Sequence, residues 1–175
     1  MANIGLRAAR PDDAVAIAAI YRPAVLEGTA SFELEAPDAA EMGRRMAAIV
    51  GGGYPYLVAE LYGAIIGYGY LSAYRPRPAY RWSVENSIYI APDKQGQGIG
   101  RTLLTALIME ATARGYRQMI AVIGDSGNAG STRLHRACGF KFCGTVHSVG
   151  FKHGRWLDSV TMQLALGDGD LTSPA

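Results

Sequence analysis

An apolar strand that runs into a glycine-rich turn, which opens directly onto an amphipathic helix, constrains this chain more than any other stretch. The run is Ile88-Tyr89-Ile90-Ala91-Pro92-Asp93-Lys94-Gln95-Gly96-Gln97-Gly98-Ile99-Gly100-Arg101-Thr102-Leu103-Leu104. Glycines at 96, 98 and 100 let the backbone approach a ligand with no Cβ in the way. The first turn of the following helix adds unpaired N–H groups and the positive end of its dipole. Lys94 and Arg101 flank it with mobile positive charge. The segment reads as an anion cradle for a phosphorylated ligand, against the plainer reading of a tight strand-to-helix turn.

The details of the turn narrow the ligand. A Walker loop ends in Gly-Lys-Ser/Thr, and here Gly100 is followed by Arg101-Thr102. A dinucleotide fingerprint reads Gly-x-Gly-x-x-Gly, whereas this loop reads Gly96-x-Gly98-x-Gly100. The acidic residue that would bind a ribose is replaced by Arg117-Gln118-Met119-Ile120. The turn does satisfy Gln/Arg-x-x-Gly-x-Gly/Ala through Gln95, Gly98 and Gly100, and in this it resembles the GCN5-related N-acetyltransferases. That resemblance implies acetyl-CoA as acetyl donor and no metal. Its cofactor site would comprise Ile88, Tyr89, Ile90, Gln95, Gly96, Gln97, Gly98, Ile99, Gly100 and Arg101.

The remainder of the chain is compatible with such an enzyme. At 175 residues it is long enough for one domain with a substantial core. Mean hydropathy is close to zero, so a soluble, globular protein is expected. A net charge of +2 gives no argument for nucleic acid. No apolar stretch approaches the roughly 20 residues of a membrane span. Met1-Ala-Asn-Ile-Gly-Leu-Arg lacks the regions of a signal peptide. Cys138 and Cys143 have no metal-ligand partners at suitable spacing and read as small buried hydrophobes, which places the protein in a reducing cytoplasm.

Along the chain, Ile4 to Arg7 is a short strand, and Asp12 or Asp13 caps a helix with Val15, Ile17, Ala18, Ile20 and Tyr21 on one stripe. A second helix starts at Pro37, buries Met42, Met46 and Ile49, and stops at Gly51-Gly52-Gly53. Tyr56 to Leu61 and Ala64 to Leu71 form a hairpin about Tyr62-Gly63. An Arg/Pro loop, Arg75 to Arg81, leads to the strand Ser83 to Ile90. After the cradle helix, which ends at Gly115, come a strand from Tyr116 to Ile123 and a short helix from Asn128 to near Gly139. Strands over Phe140 to Val149 and Trp156 to Leu166 complete a mixed sheet. The order is β-α-α-β-β-β-α-β-α-β-β, an α/β acetyltransferase-type fold with helices flanking a central sheet. Residues 1–166 form a single domain and 167–175 a flexible tail.

Two further signals carry chemistry. Asn128-Ala-Gly-Ser-Thr-Arg-Leu134-His135-Arg-Ala-Cys-Gly139-Phe140 resembles the family pattern Asn-x-x-Ala-x-x-Leu-Tyr-x-x-x-Gly-Phe, with Ser131 in place of alanine and His135 in place of tyrosine. The resemblance gives Asn128 the role of holding the pantetheine arm or a water near it; an N-cap is the other reading, and the two are compatible. His135 stands where relatives keep the acid that protonates the departing thiolate; a buried structural histidine is the alternative. In Ser83-Val84-Glu85-Asn86-Ser87-Ile88-Tyr89-Ile90, alternation puts Glu85 on a face with Ser83, Ser87 and Tyr89. A carboxylate within a strand is costly unless paired or used. Deprotonating an acceptor ammonium is such a use, with the main-chain groups of Ile88 and Ile90 contacting the pantetheine and polarising the thioester. A surface or salt-bridged glutamate is the other reading.

Tyr74-Arg75-Pro76-Arg77-Pro78-Ala79-Tyr80-Arg81-Trp82 with Val84-Glu85-Asn86-Ser87-Ile88-Tyr89-Ile90 is similar to the phosphinothricin and methionine sulfoximine acetyltransferases. The similarity extends to Gly28-Thr29-Ala30-Ser31-Phe32-Glu33 and Gly150-Phe151-Lys152-His153-Gly154-Arg155-Trp156-Leu157-Asp158. It implies an amino acid analogue with a tetrahedral head as substrate, Phe32, Arg75, Pro76, Arg77, Tyr80, Asn86 and Ser87 beside Glu85 as substrate contacts, and a homodimer. Arginine forks suit an α-carboxylate and a phosphinate. Arg155-Trp156 is either a substrate contact or a strand start that packs Trp156 into the core, the second being preferred. The rival functions are acetyl transfer to another amine, such as a polyamine, an aminoglycoside or a protein N-terminus, and a non-catalytic acyl-CoA sensor.

Overall fold

The computed structural model describes residues 4–174, so the expectations for positions 1–3 and 175 lie outside the described residues. The elements run β1 (Gly5–Ala8), α1 (Ala14–Leu26), α2 (Ala39–Gly51), β2 (Tyr56–Leu61), β3 (Ala64–Ala73), β4 (Ser83–Ile90), α3 (Ile99–Ala113), β5 (Gln118–Gly124), α4 (Ala129–Ala137), β6 (Lys141–Lys152) and β7 (Arg155–Ala165). They form a sheet in the order β1-β2-β3-β4-β5-β7-β6, with β4 and β5 its parallel neighbours. Element order and fold class match the expectation.

Local chemistry explains most of the boundaries. Tyr62 and Gly63 both adopt positive φ, 52° and 80°, which gives the two-residue turn whose twist suits a β-hairpin. The second helix begins two residues later than Pro37 suggests. Asp38 is its N-cap, and its Oδ1 accepts the Glu41 N–H at 2.8 Å. Asp13 makes no such cap for α1. Arg7 takes its carboxylate instead, donating from both terminal nitrogens at 2.7 and 2.9 Å, and this holds Asp13 below its ordinary pKa.

The core lies on both faces of the sheet. Ile17, Ile20, Tyr21 and Val25 of α1 and Met42 and Met46 of α2 cover Tyr56, Val58 and Tyr68. On the other face Leu104, Leu107 and Ala111 of α3 cover Leu71, Val84 and Met119. Several expectations are corrected here. Val15 points away from the α1 stripe and is exposed. β5 begins at Gln118, because the N–H groups of Arg117 and Gln118 are both drawn to the Trp82 carbonyl. Trp156 is not core: it is 63% exposed near the start of β7, opposite Phe151 of the edge strand β6, and stacks edge-on against that ring. Cys143 is exposed and Cys138 half-buried, so neither is a fully buried hydrophobe. The segment after β7 makes turns, and the Arg117 guanidinium donates to Thr172 Oγ1 at 3.0 Å.

One irregularity of the sheet creates the site. β4 and β5 pair in parallel from Ser83/Gln118 to Glu85/Ile120 and then separate. Main-chain groups alternate sides along a strand. Ala91 N–H bonds Ile66 on the β3 side and Trp82 C=O bonds the β5 side, so the even-numbered residues Ile88 and Ile90 aim their backbone groups into the gap. Both strands continue beyond the fork with unpaired edges facing each other.

Candidate active site

The gap between β4 and β5 widens into a cleft of about 1100 Å³. Its walls are Asn86 to Ile90 of β4, Ala121 to Gly124 of β5, the turn before α3, the start of α4, and residues 27–30 after α1. At the turn, Gly98 is the N-cap of α3 with φ 84° and ψ −5°, and Gly96 has φ 75°. These left-handed conformations strain any residue with a Cβ. They present the first-turn amides of α3 to the cleft, with Lys94 and Arg101 also on its wall. Gln95 Nε2 donates to the Ile90 carbonyl at 3.3 Å, tying the cradle to the unpaired end of β4. Gln97 turns outward instead and bonds the Asp93 carbonyl at 3.2 Å, so it does not line the cleft. The other cofactor-site residues expected from the sequence, including Asn128, do line it.

At the fork itself, Asn86 Nδ2 donates to the Ile120 carbonyl at 3.1 Å. A side-chain amide therefore supplies a cross-strand bond at the point where the ladder opens. Behind it stands His135, 5% exposed, with Nε2 3.0 Å from Asn86 Oδ1 and Nδ1 2.9 Å from the Ser131 carbonyl. One ring proton satisfies one of these oxygens; two satisfy both. Burial opposes the second proton and pushes the pKa below its ordinary value. An acid role would require Nε2 to leave Asn86. Asn128 is an N-cap, its Oδ1 accepting the Ser131 N–H at 3.1 Å, and the residue is also on the cleft wall.

Glu85 lies one residue before the fork, half-buried on the α1/α2 face of β4 and outside the cleft wall. Burial alone raises its pKa, and no cation among the described residues offsets the cost. Phe32, Arg75, Pro76, Arg77 and Tyr80 also lie outside the cleft wall. The loop of the arginines is internally organised. The Arg75 guanidinium sits 5.2 Å from the Tyr74 ring and 5.8 Å from the Tyr80 ring. Arg77 is exposed. Ser87, in contrast, is on the wall.

Sequence reasoning missed one charged pair. Asp125, at φ 69° just past β5, is ion-paired with Arg155, and both line the cleft. The guanidinium and the Gly127 N–H hold the Asp125 carboxyl below its ordinary range. Asp125-Ser-Gly-Asn is a turn sequence and Arg155 is a candidate contact on sequence alone, but their meeting depends on strand register.

The model of the acetyltransferase (GNAT) domain matches residues 6–161. The chain belongs to the GNAT acetyltransferase family. A phosphinothricin N-acetyltransferase of Alcaligenes faecalis is 54% identical over 169 residues, which is 97% of this chain and 86% of the relative. An L-methionine sulfoximine/L-methionine sulfone acetyltransferase of Pseudomonas aeruginosa is 41% identical over 94% of this chain and 95% of its own length. A solved GNAT superfamily phosphinothricin acetyltransferase from Sinorhizobium meliloti, in complex with AcCoA, matches with TM-score 0.95 at 50% identity, over 98% of this chain and 93% of its own.

In this GNAT enzyme the histidine at the fork has a measurable signature. His135→Leu leaves Asn86 Oδ1 without its partner, and we expect a loss of about 1–3 kcal/mol in urea denaturation at pH 8. A histidine whose folded pKa is lowered stabilises the native state above its unfolded pKa, and that stability drains as pH falls below about 6.5. The variant should therefore lose stability less steeply than wild type on the acid side. Parallel acid limbs would mean that His135 titrates freely.

Proposed function

We propose that this enzyme transfers the acetyl group of acetyl-CoA to the α-amino group of a small amino acid analogue with a tetrahedral head, of the phosphinothricin, methionine sulfoximine or methionine sulfone type. Acetyl-CoA is the donor: its pyrophosphate meets the cradle at Gly96 to Arg101, and its pantetheine completes the unpaired edge of β4. The relatives' acceptors support the acceptor class. The observation that carries the mechanism is a half-buried carboxylate with a raised pKa on the strand whose main chain faces the cleft.

Glu85 removes a proton from the acceptor ammonium, directly or through water. The free amine attacks the thioester carbonyl, whose oxygen takes up negative charge beside the open main-chain groups of β4. The C–S bond then breaks, and the newly acylated nitrogen gives its remaining extra proton to solvent. The thiolate takes up a proton from solvent, or from a protonated His135 once Nε2 has left Asn86. Both substrates are present together and no acetyl-enzyme forms. Cys138 and Cys143 lie outside the cleft wall, which supports direct transfer over an acetyl-cysteine route. Among the described residues no cluster of three or more metal-ligating side chains is assembled.

The test is CoA-thiol release against L-phosphinothricin, L-methionine sulfoximine, L-methionine sulfone, ordinary amino acids, spermidine and an aminoglycoside. Turnover confined to the tetrahedral-headed acceptors is expected. Turnover of a polyamine or aminoglycoside would overturn the acceptor class, and acetyl-CoA binding without any turnover would favour a sensor. Arg75→Ala and Arg77→Ala should each raise acceptor KM by about tenfold or more, the scale of a lost charge-assisted hydrogen bond, with acetyl-CoA KM steady. Equal changes in both constants would remove the loop from acceptor selection.

The reading includes a homodimer. β6 is a sheet edge, and Phe142, Val146, Val149, Phe151 and Trp156 are exposed along it and its hairpin partner, as an interface would be. Free thiols at Cys138 and Cys143 suit a reducing cytoplasm, and no described helix is long and apolar enough to cross a membrane.

A further inference from the structure

Two segments more than a hundred residues apart meet beside the cleft. Residues 28–33, between α1 and α2, carry Gly28, Thr29 and Ala30 onto the cleft wall. The tip of the β6–β7 hairpin, residues 150–155, lies against that segment at Gly28, Ser31 and Phe32. We propose that the hairpin tip is a clamp that fixes this wall, with Lys152 as a positioning residue for the acceptor. The proposal rests on the acetyl-transfer reading above and deepens it.

Lys152 is the last residue of β6 and is 4% exposed. Its Nζ donates to the Ser31 carbonyl at 2.7 Å. A buried ammonium is costly, and burial lowers its pKa, with the Glu33 carboxylate as the opposing charge. Packing alone would be served better by an apolar side chain. What the charge supplies is a directional hold on one carbonyl. His153, at φ 51° in the tip, adds a second hold, with Nε2 3.2 Å from the Gly28 carbonyl.

The third contact is steric. A Cβ at Gly150 would lie 2.5 Å from Phe32 Cε2, and one at Gly124 would lie 3.0 Å from Phe32 Cε1 and 2.5 Å from the Thr29 carbonyl. The Phe32 ring is thus seated against bare backbone on two strands. On the opposite side Tyr21 Oη lies 2.7 Å from Ser31 Oγ and donates to Glu33 Oε1 at 2.8 Å, and Arg45 donates to the same carboxylate at 2.7 Å. Helices hold the segment from one side and the hairpin from the other. Both reach the cleft itself, α1 through Ile20, Pro23 and Ala24 and the hairpin through Arg155 and its partner Asp125.

The experiment uses the full chain with acetyl-CoA and L-methionine sulfone, together with hydrogen exchange of the segment 28–33. Lys152→Met keeps a buried stem of similar length and removes the charge. Acceptor KM should rise by about tenfold, the scale of a lost hydrogen bond to a charged group, with acetyl-CoA KM within about twofold. Exchange in residues 28–33 should accelerate while that of residues 95–101 does not. His153→Ala, at an exposed position, should do the same more weakly. Gly150→Ala should raise acceptor KM, and the increment should vanish in a Phe32→Ala background. Unchanged exchange in residues 28–33 for Lys152→Met and His153→Ala would overturn the clamp, as would a fall in kcat with acceptor KM unmoved. A wild-type enzyme silent on every acceptor would defeat the functional reading alone, because the exchange measurement needs no turnover.

Discussion

Glu85→Gln is expected to lower kcat by about 10²- to 10⁴-fold, the range a positioned general base supplies, while acetyl-CoA binding by calorimetry stays unchanged. The glutamine keeps the shape of the side chain and removes only its basicity. The deficit should be largest at the acid end of the accessible range, where the acceptor is almost wholly ammonium, and shrink as pH approaches the acceptor's own pKa. Wild-type rate should rise with pH through the folded pKa of Glu85, which burial places above its ordinary value. A variant with wild-type kcat across pH excludes Glu85 as the base.

The same substitution has a consequence of opposite sign for stability. A carboxyl whose folded pKa is raised favours the protonated native state. Its contribution is fully present below the unfolded pKa and is lost as pH rises through the folded value. At neutral pH Glu85 therefore costs stability, and Glu85→Gln should melt higher than wild type at pH 7, with the difference narrowing toward pH 4. Higher stability with lost turnover is the pattern of a residue kept for chemistry.

Gly98→Val is expected to raise acetyl-CoA KM by on the order of a hundredfold, from obstruction of the cradle together with about 1–3 kcal/mol of backbone strain. Gly98 stands at φ 84° on the cleft wall, and the place a Cβ would take is open space, so obstruction is expected if the bound pyrophosphate occupies it. Gly53 is a matched control at φ 83° with equally open surroundings, just beyond the end of α2. Gly53→Val should lose similar stability and leave both Michaelis constants alone. If the two variants weaken acetyl-CoA equally, the effect at Gly98 is strain and the cradle has no special part.

The elements around the cradle were legible because their signals are local. Alternation over Ser83 to Ile90 and the glycine stop after α3 sit within a few residues of what they control, and β4 has the expected bounds. The fork was not legible. It depends on where β5 stops pairing with β4, and the bond that marks it joins Asn86 to Ile120. His135 was legible as a candidate, but the oxygen at its Nε2 belongs to a residue 49 positions away. Val15 and Trp156 were misplaced for related reasons. An apolar residue near a helical stripe or at a strand start reads as core until its neighbours are known, and Trp156 faces only the edge strand β6, with nothing described beyond it. Lys152 carries no local signal at all, since its partner is the carbonyl of Ser31, 121 residues earlier.

The central claim is direct transfer from acetyl-CoA to the α-nitrogen of a small amino acid within one ternary complex. The most direct measurement is a grid of initial rates over both substrates with L-methionine sulfone as acceptor, and the product read by mass spectrometry and NMR. Intersecting reciprocal plots and a single acetyl group on the α-nitrogen are the predicted result. Parallel plots, or acetyl carried on the protein before the acceptor is added, would contradict it.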